Sequence, residues 1–304
     1  MEDFGLVLLA IIGGAIRVST PFIFVSLGEC LTERSGRINL GLEGTLVFGA
    51  MAAYGVAFET QSAWAGVGAA AVAGSCFGLF HGWVCKLPKV NDIAIGIALM
   101  LLGVGLAYFF GKPYIQPVAP DLPDFSLGAW SGIPQVEAAL RINALFVVGV
   151  ILALLVAWIF RHTKIGLIIR VVGDSADAAR ALGINANRVR LLSTAAGGAL
   201  AGIGGAYLSL YYPGSWNEGI SSGQGLMAVA LVIFARWSPV NCFWASLLFG
   251  GAGALGPALQ SVGITEGYYL FYAAPYVLTL GLLIATSSRN QALGGAPGEL
   301  SLTK

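Results

Sequence analysis

Nine apolar stretches separated by short polar gaps organise this chain: Phe4–Cys30, Asn39–Phe58, Ala63–Cys85, Ile93–Phe110, Asn143–Phe160, Leu191–Tyr212, Gly225–Ala235, Val240–Leu259 and Tyr268–Ala285. A helix needs about 20 such residues to cross a bilayer, so the pattern predicts an all-α, polytopic bundle of about nine spans. Two stretches are irregular. The first is long and holds Arg17 and Pro21, which predicts a tilt or a break near the proline. The seventh is too short to cross alone, so it is expected to extend back through Ser222 or to be partly unwound.

Composition supports this reading. The 304 residues are 57% hydrophobic and 10% charged, whereas a soluble domain carries about 25% charged residues. The 43 glycines suit helices that approach closely in lipid, where association relies on van der Waals contact. A net charge of +1 gives no pull toward nucleic acid. Cys30, Cys76, Cys85 and Cys242 show no C-x-x-C spacing and sit in or beside apolar runs, so neither a disulfide framework nor a zinc site is expected. Glu2 and Asp3 stand where a secretory signal would be basic, and the N-terminal stretch reads as the first span.

The gaps alternate in charge. Thirteen lysines and arginines fall in one set of gaps and in the tail, against Lys112 and Arg141 in the other, with Arg17 inside a span. By the positive-inside rule, the N-terminus is outside, the 163–190 loop and C-terminus are cytoplasmic, and 111–141 is an external loop. The transmembrane unit is then 1–290 and the cytoplasmic tail 291–304. The external loop is rich in proline and acid, and is either a connector or a docking surface. Trp64, Tyr114, Trp130, Trp216, Tyr268 and Tyr269 fall near the external ends, as interfacial aromatics do.

The cytoplasmic loop carries most information. Asp174 or Ser175 can cap a short helix with Asp177 in its first turn. Alanines follow, Gly183 is placed to stop the helix, Asn185 and Asn187 form a polar turn, and Arg188 and Arg190 mark the return into lipid. Such a helix is too short to stand alone, so it packs on its own bundle or sits in a cleft of a soluble subunit. In the next span Gly198 and Gly202 have small-xxx-small spacing, repeated by Ala201 and Gly205, which predicts close helix packing.

These residues resemble the coupling loop of ABC-importer permeases of the ribose and nucleoside family. Leu31–Ala53 (LTERSGRINLGLEGTLVFGAMAA), Pro88–Pro113 and Gly225–Pro239 match that family's pattern in the same order, over roughly Glu29 to Leu255. The ERSGRINLGLEG form resembles the shorter permease of nucleoside-type systems. The chain departs from the pattern at Met100, Gln224 and Ala235, where relatives often carry asparagine, arginine and glycine.

The resemblance implies a bacterial inner-membrane permease with a cytoplasmic ABC ATPase, a second homologous permease and an external substrate-binding lipoprotein as partners. It also implies that Asp174, Ala178, Ala179, Gly183 and Ile184 contact the ATPase. No cofactor is expected in this chain, ATP being bound by the partner. Nucleosides are the expected cargo. A simple sugar such as ribose or a branched-chain amino acid is the alternative within the class, and an ion-coupled secondary transporter the alternative outside it.

Other motifs carry little. Gly251, Gly253 and Gly256 fit G-x-G-x-x-G but lie inside an apolar span, without the strand and acid a dinucleotide site needs. Gly219, Ser221 and Gly223 fit G-x-S-x-G, yet His81 lies in a span and His162 on the opposite side, so no base is at hand. No G-x-x-x-x-G-K-[ST] occurs.

Polar groups within spans are functional candidates by default: Arg17, Glu29, Asn39, Glu43, Asn91, Asp92 and Gln260. Glu43 follows Asn39 by four residues, which would put both on one helix face, with Arg37 placed to pair with Glu43 or Glu33. Asn39, Glu43, Asn91 and Asp92 are either interhelical ties and helix caps or a gate beside the channel. Arg17 is expected inside the bundle, paired with Glu29 or with another chain. Phe22, Phe24, Tyr54, Phe77, Phe80, Tyr207 and Tyr211 offer faces for a flat base, or simply pack.

Overall fold

The computed structural model describes residues 2–128, 130–132, 134–261, 267, 271, 273–286 and 295–302. Its long helices are α1 (Glu2–Arg34), α2 (Leu42–Thr60), α3 (Ala63–Val84) and α4 (Asp92–Gly111), then α6 (Ala144–His162), α9 (Ala186–Leu210) and α11 (Pro239–Ser261). Shorter helices are α5 (Pro134–Ala139), α7 (Lys164–Asp174), α8 (Ala176–Ala181), α10 (Gln224–Phe234), α12 (Ala274–Thr286) and α13 (Gly298–Leu302). Six helices among the described residues are long and apolar enough to cross a membrane. α2, at 19 residues, is not among these six, and most of its residues are buried inside the bundle.

α9 is the central post. Its small residues let α1, α2 and α3 come to backbone contact on three sides. A Cβ on Gly198 would strike the carbonyl of Gly74, one on Gly202 the carbonyl of Ala70, and one on Gly205 the carbonyl of Leu46. On the α1 side, Gly28 and Gly197 face each other so closely that a Cβ on Gly28 would lie 2.5 Å from the Gly197 carbonyl oxygen. Dispersion contact of this kind is the main attraction available between helices in lipid.

α1 runs unbroken through Pro21, so of the expected tilt or break the break does not occur. The Ser19 and Thr20 hydroxyls donate to the Ile16 carbonyl one turn back, at 3.1 and 2.8 Å. Glu29 receives the Asn39 N–H at 2.8 Å. It lies twelve residues beyond Arg17, about 18 Å of helix rise, which rules out the expected pairing. Arg17 Nε instead donates to the Gly13 carbonyl at 3.2 Å.

The 111–141 segment differs from a pure helical bundle. It holds a 3₁₀ turn (Lys112–Tyr114), α5 and an antiparallel ribbon of β1 (Asp124–Ser126) with β2 (Arg141–Asn143). The ribbon pairs Asp124 with Asn143 and Ser126 with Arg141. Trp216 is fully buried against Gly111 rather than at an interface, because the glycine leaves room for the indole. Trp64 and Trp130 are exposed. Tyr268 and Tyr269 lie outside the described residues, as does the start of the ninth predicted span.

Candidate functional site: a membrane cavity and a self-terminated loop helix

Between α9 and α11 the chain does not cross as one helix. Residues 213–223 run as irregular chain and tight turns, with Gly219, Ser222 and Gly223 in the left-handed region (φ +82, +47 and +81). Only then does α10 begin. Its 11 residues rise about 16 Å, roughly half of a bilayer core. The first N–H groups of such a helix have no intrahelical acceptor and need partners from elsewhere.

Glu43 meets that need. Its Oε1 accepts from the Ser221 hydroxyl at 2.5 Å and the Gly223 N–H at 3.1 Å, and its Oε2 from the Gly225 N–H at 2.6 Å. A carboxylate at a helix N-terminus also complements the helix dipole. Gly225 is what permits this approach, since a Cβ there would lie 2.6 Å from the Glu43 Cα.

Beside the α10 start is a cavity of about 430 Å³, lined in part by Phe22, Tyr212, Asn217, Gln224, Phe249 and Tyr276. That is within the ~300–1,000 Å³ of small-molecule sites. Aromatic faces and amides together suit a flat, hydrogen-bonding solute. Tyr276 is tied to the unwound segment by its hydroxyl, which donates to the Ser222 carbonyl at 3.3 Å. The Gln224 Oε1 is buried and has no hydrogen-bond partner among the described residues.

Of the seven aromatics singled out from sequence, Phe22 alone is among the cavity-lining residues. Phe24 and Tyr207 are core, the Tyr54 hydroxyl donates to the Pro117 carbonyl at 2.8 Å, and Phe80 faces outward. Asn217 and Tyr276 were missed because a lone amide in a short gap and a tyrosine in a span carry no local signal.

The other gate candidates do not form one site. Asn39 precedes α2, its Oδ1 accepting from the Gly41 N–H at 3.0 Å, so it shares no helix face with Glu43. Asn91 is the N-cap of α4, accepting from Ile93 and Ala94 at 2.8 and 3.1 Å. Asp92 pairs with Arg37 at 2.5 Å, so Arg37 serves neither Glu43 nor Glu33. The Glu33 carboxylate accepts from the Trp237 indole. Met100 lies where α4 crosses Gly44 of α2, and Ala235 caps the end of α10.

At the end of the bundle that gathers Arg34, Arg161 and Arg190 lies the loop. α7, amphipathic and capped by Thr163, was not foreseen. α8 follows at once. Ser175, rather than Asp174, is its N-cap, the hydroxyl accepting from Ala178 N at 3.2 Å. Its end is a Schellman motif: Ile184 N–H bonds the Ala179 carbonyl and Gly183 N–H the Arg180 carbonyl, both at 2.9 Å. That motif needs a left-handed residue at Gly183, whose φ is +77.

Asp174, Ala178 and Gly183 are exposed and Ile184 half-buried, whereas Ala179 is fully buried against Val172, Ala176 and Ala186. Asp177, 91% exposed, pairs with Arg180 at 2.6 Å. Asn185 is the N-cap of α9, not part of a separate polar turn, and Asn187 is already helical.

A second carboxylate from far along the chain reaches this loop. Glu299 of α13 accepts the Ala176 N–H at 2.7 Å through Oε1 and pairs with Arg190 at 2.9 Å through Oε2. Arg190 in turn donates to the Ser35 carbonyl at 3.1 Å. The tail is thus clasped to the loop and to the end of α1.

Six helices long and apolar enough to cross a bilayer among the described residues define a multi-pass membrane protein. The chain belongs to the family described as branched-chain amino acid transport system / permease component, which matches residues 11–286. It is similar to TsgC13 of Haloferax volcanii, named provisionally as a glucose ABC transporter permease, at 32% identity over 94% of this chain and 88% of the relative. The nucleoside ABC transporter permease NupC of Lactococcus lactis subsp. cremoris is 27% identical over 90% of each chain. The guanosine ABC transporter permease NupQ of Bacillus subtilis is 27% identical over 94% of each. A second permease from each of these two bacteria, NupB and NupP, also matches, at 24% and 25% identity. No solved structure matches.

Proposed function

We propose that this chain is the membrane-spanning permease subunit of an ATP-driven importer of nucleosides, working in a bacterial inner membrane. The observation that carries the reading is the combination, in one permease-family chain, of an aromatic and amide-lined cavity with a polar, self-terminated helix at the far end of the bundle. The cavity offers stacking faces for a base and amides for its edge or sugar. α8 offers a motor subunit Asp174, Ala178, Gly183 and Ile184, and Asp177, Arg180 and Leu182 beside them. Ala179 contributes by holding that helix on its base.

The lysine and arginine bias supports an external N-terminus and a cytoplasmic loop and tail. Nine crossings follow if the irregular 213–223 segment with α10, and α12, each count as one. The ATPase, a second homologous permease and an external binding lipoprotein complete the assembly. The lipoprotein is expected on the 111–141 segment, where Val118, Phe125, Leu127 and Trp130 are exposed. ATP is bound by the partner and this chain carries no ATPase site of its own.

The similarity to a sugar permease at 32% identity favours a simple sugar as the second reading of the cargo. Uptake of labelled nucleosides and sugars by deletion and complemented cells separates them. Loss of nucleoside uptake alone is the expected result, and loss of sugar uptake alone overturns the cargo. Crosslinking from Ala178 to a nucleotide-hydrolysing neighbour tests the class.

A further inference from the structure

A second cavity, of about 210 Å³, opens where α1, α6, α7 and the α10–α11 turn meet, and it is lined by Arg34, Arg161, Arg170, Trp237 and Ser238 among others. Three arginines line it, and none is in an ion pair with a carboxylate among the described residues. Arg34 spends one donor on the Trp237 carbonyl, at 2.9 Å. The Nε of Arg170 is buried and has no hydrogen-bond acceptor among the described residues. Glu33, the adjacent acid, gives its carboxylate to the Trp237 indole. Ser238 and Pro239 open the 23-residue α11, whose positive end faces the same space.

Three like charges held around a small cavity repel one another, and a buried guanidinium N–H without an acceptor costs about 1–3 kcal/mol. An anion with several oxygens removes both costs, and guanidinium forks match phosphate oxygens in pairs. We propose that this pocket is a binding site for a phosphate group. The group belongs either to an anionic phospholipid of the adjoining leaflet or to a soluble phosphate compound. Bound there, it ties α7, and through it the α8 loop, to the ends of α1, α6 and α11. The site is independent of the transported cargo.

The test uses the full chain with its partner subunits, delipidated in a neutral detergent. Inorganic phosphate is titrated against chloride at constant ionic strength while thermal unfolding is followed. In parallel, the assembly is placed in phosphatidylcholine nanodiscs with and without phosphatidylglycerol. A saturable rise in Tm in either arm is expected, with Arg170→Gln weakening the response about tenfold, as loss of one charge-assisted hydrogen bond does. Arg161→Gln, at the exposed end of α6, should act in the same direction and covers the case in which Arg170→Gln fails to fold. A response to phosphate alone assigns a soluble ligand, and a response to phosphatidylglycerol alone assigns a lipid. If neither raises the Tm, or if Arg161→Gln responds like the wild type, the pocket is not a phosphate site.

Discussion

α10 and α8 are both short, and both receive at their N-terminus a carboxylate from a remote part of the chain: Glu43 for α10, Glu299 for α8. The two are built to different demands. At α10 the acid takes a hydroxyl and two N–H groups, is 8% exposed, and the N-cap residue, Gly223, offers no side chain. At α8 the acid takes one N–H, shares its other oxygen with Arg190, and works beside Ser175, which caps the helix by itself. At α10 the buried Ser221 and Gly225 have no local side-chain cap, so one carboxylate serves the hydroxyl and both N–H groups. At the exposed end, solvent and a local serine do most of the work and the remote acid adds position.

The sharpest break in this comparison is Glu43→Ala. It leaves three donors without their acceptor, each worth about 1–3 kcal/mol. Nucleoside uptake should fall to background and the detergent Tm should drop by several degrees. Wild-type uptake would mean the α10 start finds water after all. Glu43→Gln, which keeps an acceptor oxygen but supplies an unwanted donor, should retain the fold better than it retains transport.

Next in size is Gly183→Val. No atom lies within 4 Å of the added Cβ, so its effect is the backbone cost of a left-handed L-residue, about 1–2 kcal/mol. The Tm should fall by roughly 2–8 °C, and reconstituted ATP hydrolysis should lose its coupling to transport. Full coupling would show that the end of α8 is not gripped.

Smaller still is Glu299→Ala. Ser175 remains as the cap and Arg190 keeps the Ser35 carbonyl, but the buried guanidinium loses its carboxylate, so about 1–2 kcal/mol and a Tm fall of roughly 2–6 °C are expected. A loss as large as that of Glu43→Ala would erase the distinction between the two helices. The least effect should come from Ala178→Ser on the open face of α8. It should leave the Tm unchanged and slightly alter ATPase docking, measured as the concentration of ATPase needed for half-maximal stimulation.

What sequence could reveal follows the same division. The α8 caps were legible because Ser175 and Gly183 act on residues within a few positions, and local spacing encodes them. The long helices were legible because hydropathy over about 20 residues needs no partner. Glu43 was noticed as a costly group, but its partners lie at 221–225, and no periodicity connects residues so far apart. Arg37 was assigned the nearest acids in sequence, whereas folding back through α3 and α4 delivered Asp92. α7 escaped notice because its apolar face continues the run of α6, with Thr163 as the slender sign of a new start. The role of the tail was invisible: Glu299 looks like any acid in a polar terminus until the fold brings it beside Ala176 and Arg190.

That last contact bears on synthesis. Glu299 is made more than a hundred residues after the loop it completes. A nascent polypeptide therefore completes α8 before that helix acquires this clasp. Ribosomes that release the product early yield a permease whose α8 keeps Ser175 but lacks the tie to Arg190.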